Sequence, residues 1–298
     1  MNAEVPSHTR FDVYQTVTES IITAIERGAG EFVMPWHGSG ISRPQNAFTR
    51  MEYHGINVVA LWAQAHERGY GSGWWATYRQ WQRAGAQVRQ GERAATIVFF
   101  KRIDGNEHPD ETEPSTRLVA RASPVFNADQ VCGWAAPRPA YPHGSAEAIE
   151  SLETFVALSH AEVHHGATLA CYRTREDWIE MPARAAFTGS PTCSPTEAYY
   201  ATLLHELVHW TGAKHRLNRG LQNGLSNEDL AAEELVAEIG AAYLCADLGV
   251  SNDPRPDHAA YVASWLKLLR DDKRAIFTAS RLADRATSFL YEVAATGA

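Results

Sequence analysis

The pentapeptide HELVH, His205 to His209, constrains the fold of this 298-residue chain more than any other feature. Two histidines four apart project from one face of an α-helix and can hold one Zn²⁺ ion. Glu206 beside them can take a proton from a water that the metal activates. A capping box from Ser194 to Glu197 begins this helix and Gly212 ends it. The pattern predicts a zincin-type domain holding Zn²⁺ or another divalent metal; a chance match inside a buried helix is the alternative.

One candidate for the third metal ligand is His215. The longer match HELVHWTGAKH has the metzincin form HExxHxxGxxH, in which the last histidine is a ligand. Metzincins also place a methionine-containing turn beneath the metal, and all four methionines here precede the helix. The metzincin pattern is therefore incomplete, and His215 also fits a histidine that faces the dipole at a helix C-terminus.

The other candidate lies in a helix that Ser226 begins and Gly249 ends. At about 100° per residue, Glu234 and Glu238 share an arc with alanines and leucines. Buried carboxylates cost free energy unless they are paired or bind a metal, and the alanines allow close approach to the HELVH helix. We expect Glu234 to be the third ligand and Glu238 to orient a ligand histidine. A structural ion pair or an exposed face is the alternative, and Glu233 points about 100° away from this arc.

Two further features of the second half bear on catalysis. The strand DWIEMP, Asp177 to Pro182, would suit an edge strand that pairs with a peptide, but its simpler interpretation is a core strand. Tyr199, Tyr200 and His258 are candidates for the group that stabilises a developing oxyanion. The sequence does not choose among these three residues.

The remaining elements predict an α+β fold in two domains. Helices are expected over 11–30, over Ile56 to His66 and over Ala146 to Leu158, with a strand at ATLACYR. The β-branched and aromatic run Thr96 to Arg102 predicts a strand, and Leu118 to Asn127 is its partner. The Pro- and Gly-rich segment 133–145 reads as a linker between a domain of residues 1–132 and a domain of residues 146–298.

A basic and aromatic stretch occupies residues 68–102, with seven Lys or Arg against one Glu although the whole chain carries a net charge of −8. Aromatic faces stack on bases and cations pair with phosphates, so this mixture suits single-stranded DNA. Buried tryptophans beneath a solvated basic face are an equally good interpretation. The candidate DNA-binding residues are Trp74, Trp75, Tyr78, Arg79, Trp81, Arg83, Arg89, Lys101 and Arg102.

Cysteine usage and hydropathy indicate the compartment. The four cysteines form no CxxC pair, which suits a reducing cytosol. No signal-like N-terminus and no apolar run of about 18 residues is present. We therefore expect a cytoplasmic protein with no membrane partner.

Motifs along the whole chain resemble the ArdC-type plasmid antirestriction proteins, whose N-terminal domain is shared with some plasmid primase accessory proteins. The resemblance rests on Met34–Trp36, Pro44–Asn57, Trp74–Ala94 and Phe126–Val131, and on YYATLLHELVHWTG, EELVAEIGAAYLCA and YVASWLKLL. It implies an N-terminal α+β domain that binds single-stranded DNA and a C-terminal zincin-like metallopeptidase domain. It also favours Glu234 over His215, and implies protection of plasmid DNA that enters a recipient as a single strand during conjugation.

Three hypotheses follow. The chain is a DNA-protection protein whose metal domain assists it, or a DNA-targeted zinc metalloprotease that cuts a restriction or regulatory protein. In the third, the metal serves folding alone.

Overall fold

The structure, a computed structural model, describes residues 12–29, 33–37, 42–104, 116–137, 144–221, 224–252 and 259–296. Within these residues the α-helices are α1 (Val13–Gly28), α2 (Ile56–Arg68), α3 (Tyr78–Arg83), α4 (Ala146–Leu158), α5 (Pro195–Thr211), α6 (Asn227–Leu248), α7 (Ala259–Asp271) and α8 (Ala275–Thr296). The strands are β1 (Gln45–Asn46), β2 (Trp74–Ala76), β3 (Gln87–Val88), β4 (Ala95–Asp104), β5 (Thr116–Asn127), β6 (Val131–Cys132), β7 (Val163–His165), β8 (Cys171–Arg173) and β9 (Trp178–Met181). The α+β class is confirmed.

The helix ends follow the predicted capping signals. The Ser194 hydroxyl accepts a hydrogen bond from the Glu197 backbone N–H at the start of α5, and the Glu197 carboxylate accepts one from the Ser194 N–H at 2.9 Å. Ser226 caps α6 in the same way through the Asp229 N–H. Gly249 ends α6 with φ of 70°, a left-handed conformation that costs glycine little. Both helices of the predicted metal site are therefore delimited by local sequence.

The N-terminal half is built around a four-stranded sheet in the order β1-β2-β5-β4. The predicted pairing of β4 with β5 is confirmed as an antiparallel hairpin, with Ala95 opposite Val125 and Asp104 opposite Thr116. Helix α2 is tied to this hairpin because the Asn57 side chain bonds both the N–H and the C=O of Val98, at 2.7 and 2.8 Å.

The C-terminal half contains a three-stranded sheet in the order β7-β9-β8. Strand β9 lies in the middle, parallel to β7 and antiparallel to β8, with Ile179 and Met181 fully buried. The interpretation of DWIEMP as a core strand is confirmed, and the alternative of an edge strand is wrong, because both sides of β9 are already paired. Strand β8 is the edge strand that adjoins the HELVH helix.

One hydrophobic core joins the two halves. Its largest cluster includes Ile21 of α1 and Val58 of α2 together with Leu207, Ile239 and Leu290 from α5, α6 and α8. The two predicted domains therefore share a hydrophobic core. Residues 138–143 of the predicted linker lie outside the described residues.

A buried cation also connects the halves. Arg43, only 5% exposed, contacts Asp247 at 3.1 Å and Asp284 at 2.6 Å, and its guanidinium lies over the Tyr243 ring. The Tyr243 hydroxyl in turn donates to the Gly55 carbonyl at 2.8 Å. Because a buried guanidinium is costly without partners, these contacts fix the segment before β1 on α6 and α8.

Helices α5 and α6 approach each other closely through small side chains. A Cβ atom added to Gly240 of α6 would lie 2.8 Å from the Val208 Cγ2 atom of α5. Ala237 and Ala241 beside it are buried, as the predicted small-residue face requires. This approach brings the carboxylates of α6 to the histidines of α5.

None of the helices in the part of the chain that the structure describes combines the length and the hydropathy needed to cross a bilayer.

The first prediction concerns this helix contact. Replacing Gly240 by Val forces two methyl groups against Val208, so we expect the free energy of unfolding to fall by about 1–3 kcal/mol. Denaturant unfolding of the full chain measures this. The control is Gly71→Ala, where the added methyl group meets nothing within 4 Å. Equal stability of the two variants would contradict the close approach.

Candidate metal centre

Three predicted ligand side chains converge between α5 and α6. The Nε2 atoms of His205 and His209 lie 3.1 Å apart, and the Glu234 carboxylate lies 3.4 Å from the first and 3.6 Å from the second. One ligand atom from each side chain falls within 4.8 Å of the others. Two imidazole nitrogens and one carboxylate oxygen form the donor set of many catalytic zinc sites, so the cluster fits a divalent ion.

Glu233 contacts the candidate ligand His209 from the side away from the cluster, a contact that the sequence did not predict. Its Oε1 atom lies 3.0 Å from His209 Nδ1, and Arg219 forms two-pronged hydrogen bonds with the same carboxylate. The expectation that Glu233 points away from the site is wrong. The helical projection assigned the whole of α6 one facing direction, whereas Glu233 faces His209 and Glu238 faces His205.

Glu238 lies behind His205, another of the candidate ligands. Its Oε2 atom is 3.7 Å from His205 Nδ1, and its Oε1 atom faces the side chains of Trp36 and His37 from the N-terminal half. The sequence analysis noted Trp36 only as part of a family motif and did not connect it with the metal site. No local signal identifies such a contact, because about 200 residues separate the partners.

The electrostatics of the cluster favour a bound cation. Burial alone would lower the pKa of His209, but hydrogen bonds with Glu233 and Glu234 raise it to about 10. Burial opposes ionisation of Glu234, yet hydrogen bonds with His205 and His209 hold its pKa well below the usual range. Carboxylates that favour a proton on an imidazole also favour a divalent ion, so the surroundings suit a metal.

A cleft of about 510 Å³ opens beside the ligands. Glu206 lines it, and its carboxylate accepts a hydrogen bond of 2.8 Å from the Tyr172 backbone N–H of the edge strand β8. Leu221, Leu225 and Tyr261 form apolar parts of the wall. The predicted general base is therefore oriented by the edge strand and faces a space that can admit a substrate.

The rival ligand lies away from the cluster. The His215 side chain is 63% exposed and contacts Asp177 at 3.2 Å and Arg216 at 2.6 Å. Among the candidates for oxyanion stabilisation, Tyr199 and Tyr200 bond His165 and Glu153 instead and do not line the cleft. His258 lies outside the described residues. Tyr261, which the sequence analysis missed, lines the cleft.

Two of the predicted DNA-binding residues are core residues. Trp75 is 1% exposed and Trp81 is fully buried, so neither ring offers a face to a base. The Trp81 indole N–H donates to the Phe126 carbonyl at 3.1 Å. Their assignment to DNA binding is wrong, because composition cannot distinguish a buried tryptophan from an exposed one.

Other members of that set lie at the surface. Tyr78 is 43% exposed, and Arg79, Arg83, Arg89 and Lys101 are exposed. Arg89 is held by Glu92 at 2.8 Å. The side chain of Arg102 lies outside what the structure describes.

Trp74 is half-buried and belongs to an aromatic cluster. The guanidinium of Arg50 lies 4.6 Å from its ring centre, and the Trp134 ring meets it edge-on at 6.3 Å. Phe48, 36% exposed, completes the cluster by packing on Trp81. The sequence analysis missed Arg50 and Trp134 because they lie outside the basic stretch.

Two known families match the two halves. The family described as "N-terminal domain of anti-restriction factor ArdC" matches residues 11–131. The family described as "Zincin-like metallopeptidase" matches residues 150–282. The second match includes every member of the candidate metal cluster.

Relatives match nearly the whole chain. Protein y4eC of Sinorhizobium fredii (strain NBRC 101917 / NGR234) is 44% identical over 98% of this chain and 95% of its own length. Crystal structures of antirestriction ArdC from plasmid R388 share 39% identity over 96% of this chain and 99% of theirs. Their TM-scores are 0.79 for a metal-free form and 0.75 for an Mn(II)-bound form. This chain is also 35% and 34% identical to two DNA primases TraC of Escherichia coli, but spans only 27% and 19% of their lengths.

The second prediction tests the ligand set. We expect Glu234→Ala to lose stoichiometric metal, because two imidazoles alone leave the ion without its anionic ligand. His215→Ala should keep it, because His215 lies at the surface. Elemental analysis after dialysis measures both. Loss of metal from His215→Ala with retention in Glu234→Ala would reverse the assignment.

Proposed function

Because this chain belongs to the family of ArdC antirestriction proteins, we propose that it binds single-stranded DNA and protects incoming conjugative plasmid DNA from restriction in the recipient's cytoplasm. The observation that carries this proposal is the match to antirestriction ArdC over 96% of the chain. Trp74 and Arg50 lie within the residues that match the N-terminal ArdC family, and the metal cluster lies within those that match the zincin-like family. The domains proposed for these roles are residues 1–132 for DNA and 146–298 for the metal, joined by 133–145.

The exposed cations and rings of the N-terminal half support DNA binding. Arg79 and Arg83 are four apart on the solvent side of α3, whose opposite side buries Trp81. Tyr78 precedes Arg79 on α3, and Trp74 with the Arg50 guanidinium over its ring supplies further flat groups in the same half. Flat groups next to cations suit stacked bases and a phosphate backbone without sequence preference.

The cluster of the C-terminal half supports a metallopeptidase-like site that holds Zn²⁺, with His205, His209 and Glu234 as ligands. When bound, the ion would polarise a substrate carbonyl and make water more acidic. Glu206 would accept a proton on its carboxylate and pass it to the leaving amine. The Tyr172 N–H would hold that carboxylate in place, because it already donates to Glu206 at 2.8 Å.

The alternative is a DNA-targeted zinc metalloprotease that cuts a restriction or regulatory protein. The cleft of about 510 Å³ favours it, because a peptide could reach Glu206 there. The same opening argues against a metal that serves folding alone, since structural zinc sites are closed. We prefer DNA protection as the main role, because the match to antirestriction proteins covers both halves of the chain.

The third prediction tests DNA binding in the full chain, because both halves share one core. Arg79→Glu with Arg83→Glu should weaken binding and reduce the magnitude of the salt-dependence slope by about 1.4, the effect of two lost phosphate contacts. Fluorescence anisotropy with labelled single-stranded DNA measures this. Arg175→Glu with Lys214→Glu makes the same charge change on exposed residues of the C-terminal half and serves as control. Equal losses in both double variants would indicate a general charge effect.

The fourth prediction separates protection from proteolysis. Glu206→Gln removes the proton acceptor but keeps all three proposed ligands, so we expect metal binding, DNA binding and protection to persist. Transfer of a restriction-sensitive plasmid into a restricting recipient measures protection. Loss of protection with DNA binding intact would favour the metalloprotease.

A further inference from the structure

We propose that His37 and Trp36 of the N-terminal half are positioning residues of the metal centre. They act through Glu238, which orients the imidazole of His205, and they make metal affinity depend on the seating of the segment 33–37. This inference rests on the proposed metal site and names how that site is regulated. It concerns residues that lie about 200 positions before the ligands.

The hydrogen bonds of His37 define its tautomer. The Met34 backbone N–H points at His37 Nδ1 from 3.0 Å, so Nδ1 accepts and carries no proton. The ring proton therefore resides on Nε2, which donates to Glu238 Oε1 at 2.6 Å. The sharp chain path from Met34 to His37 thus presents a fixed donor to the carboxylate.

A second donor reaches the same oxygen. The Trp36 indole N–H donates to Glu238 Oε1 at 3.2 Å. With Oε1 held by two donors, the carboxylate cannot rotate freely, and its Oε2 atom stays near His205 Nδ1, at 3.7 Å, an ion-pair distance longer than a hydrogen bond. A carboxylate behind a ligand histidine fixes the ring orientation and makes the metal-facing nitrogen more basic.

The two hydrogen bonds to Glu238 lie in the protein interior. Trp36 and His37 are each 3% exposed and Glu238 is 2% exposed, so water has little access to replace a lost donor. A buried carboxylate that loses a hydrogen bond pays its full desolvation cost or rearranges. The segment is also fixed to the C-terminal half where the Trp36 carbonyl accepts from Asn252.

The two ligand histidines are thus supported in different ways. His209 is backed by Glu233 and Arg219, all within the C-terminal half. His205 is backed by Glu238, whose donors come from the N-terminal half. Coupling between two binding events is reciprocal. Any partner that pulls the segment 33–37 away from Glu238 would therefore weaken metal binding, and bound metal would stabilise the contact of this segment with Glu238.

Competition with a chromophoric chelator measures the Zn²⁺ affinity of the full chain. We expect His37→Ala to weaken this affinity about 10- to 100-fold, the usual effect of losing a group that orients a metal ligand. His37→Gln keeps an N–H donor and should restore part of the loss. Trp36→Phe keeps a ring in place and should give a smaller loss. The control is Tyr243→Phe, which removes another hydrogen bond between the halves, to the Gly55 carbonyl.

The outcomes are distinct. Unchanged Zn²⁺ affinity in both His37→Ala and Trp36→Phe, beside a wild type that binds one ion, overturns this inference and leaves the proposed site standing. Equal losses in His37→Ala and Tyr243→Phe, or no recovery in His37→Gln, indicate general loosening and also overturn it. If His37→Ala does not fold, Trp36→Phe alone decides. A wild type without Zn²⁺ affinity refutes the proposed site itself.

Discussion

The close packing of α5 against α6 is the constraint on which the candidate site depends. Gly240 and its alanine neighbours let the two backbones approach until three glutamates of α6 lie among two histidines of α5. Each buried charge must then find a partner, because desolvation of an unpaired carboxylate outweighs what packing returns. Arg219 serves Glu233, the imidazoles serve Glu234, and two N-terminal donors serve Glu238. The close helix contact therefore requires the arrangement of polar partners around the three glutamates.

The two halves depend on each other through the same logic. Arg43 forms ion pairs with Asp247 and Asp284 across the junction, and α1 and α2 add apolar side chains to the core of α5, α6 and α8. Helices of both halves thus share one packed cluster in the described part of the chain.

The sequence predicted what local rules control. Capping residues located α5 and α6. Helical periodicity placed Glu234 on the small-residue face of α6, and the resemblance to ArdC proteins favoured it over His215. Periodicity failed for Glu233, because it assumes one facing direction for a helix that in fact lies along a neighbour. It had no access to Trp36 and His37, whose role depends on chain segments that meet only in the folded state. Composition could not separate buried Trp75 and Trp81 from exposed Tyr78, since all three occur in one stretch.

The continuous core bears on how such proteins are recombined in genomes. Two domains with separate hydrophobic cores could be separated, and each could be fused to another protein. Here, separating the halves would expose apolar side chains of both and leave buried charged groups without their partners. We therefore expect a gene fusion to contain both halves together. One TraC primase, a much larger protein, aligns with 93% of this chain and so with both halves.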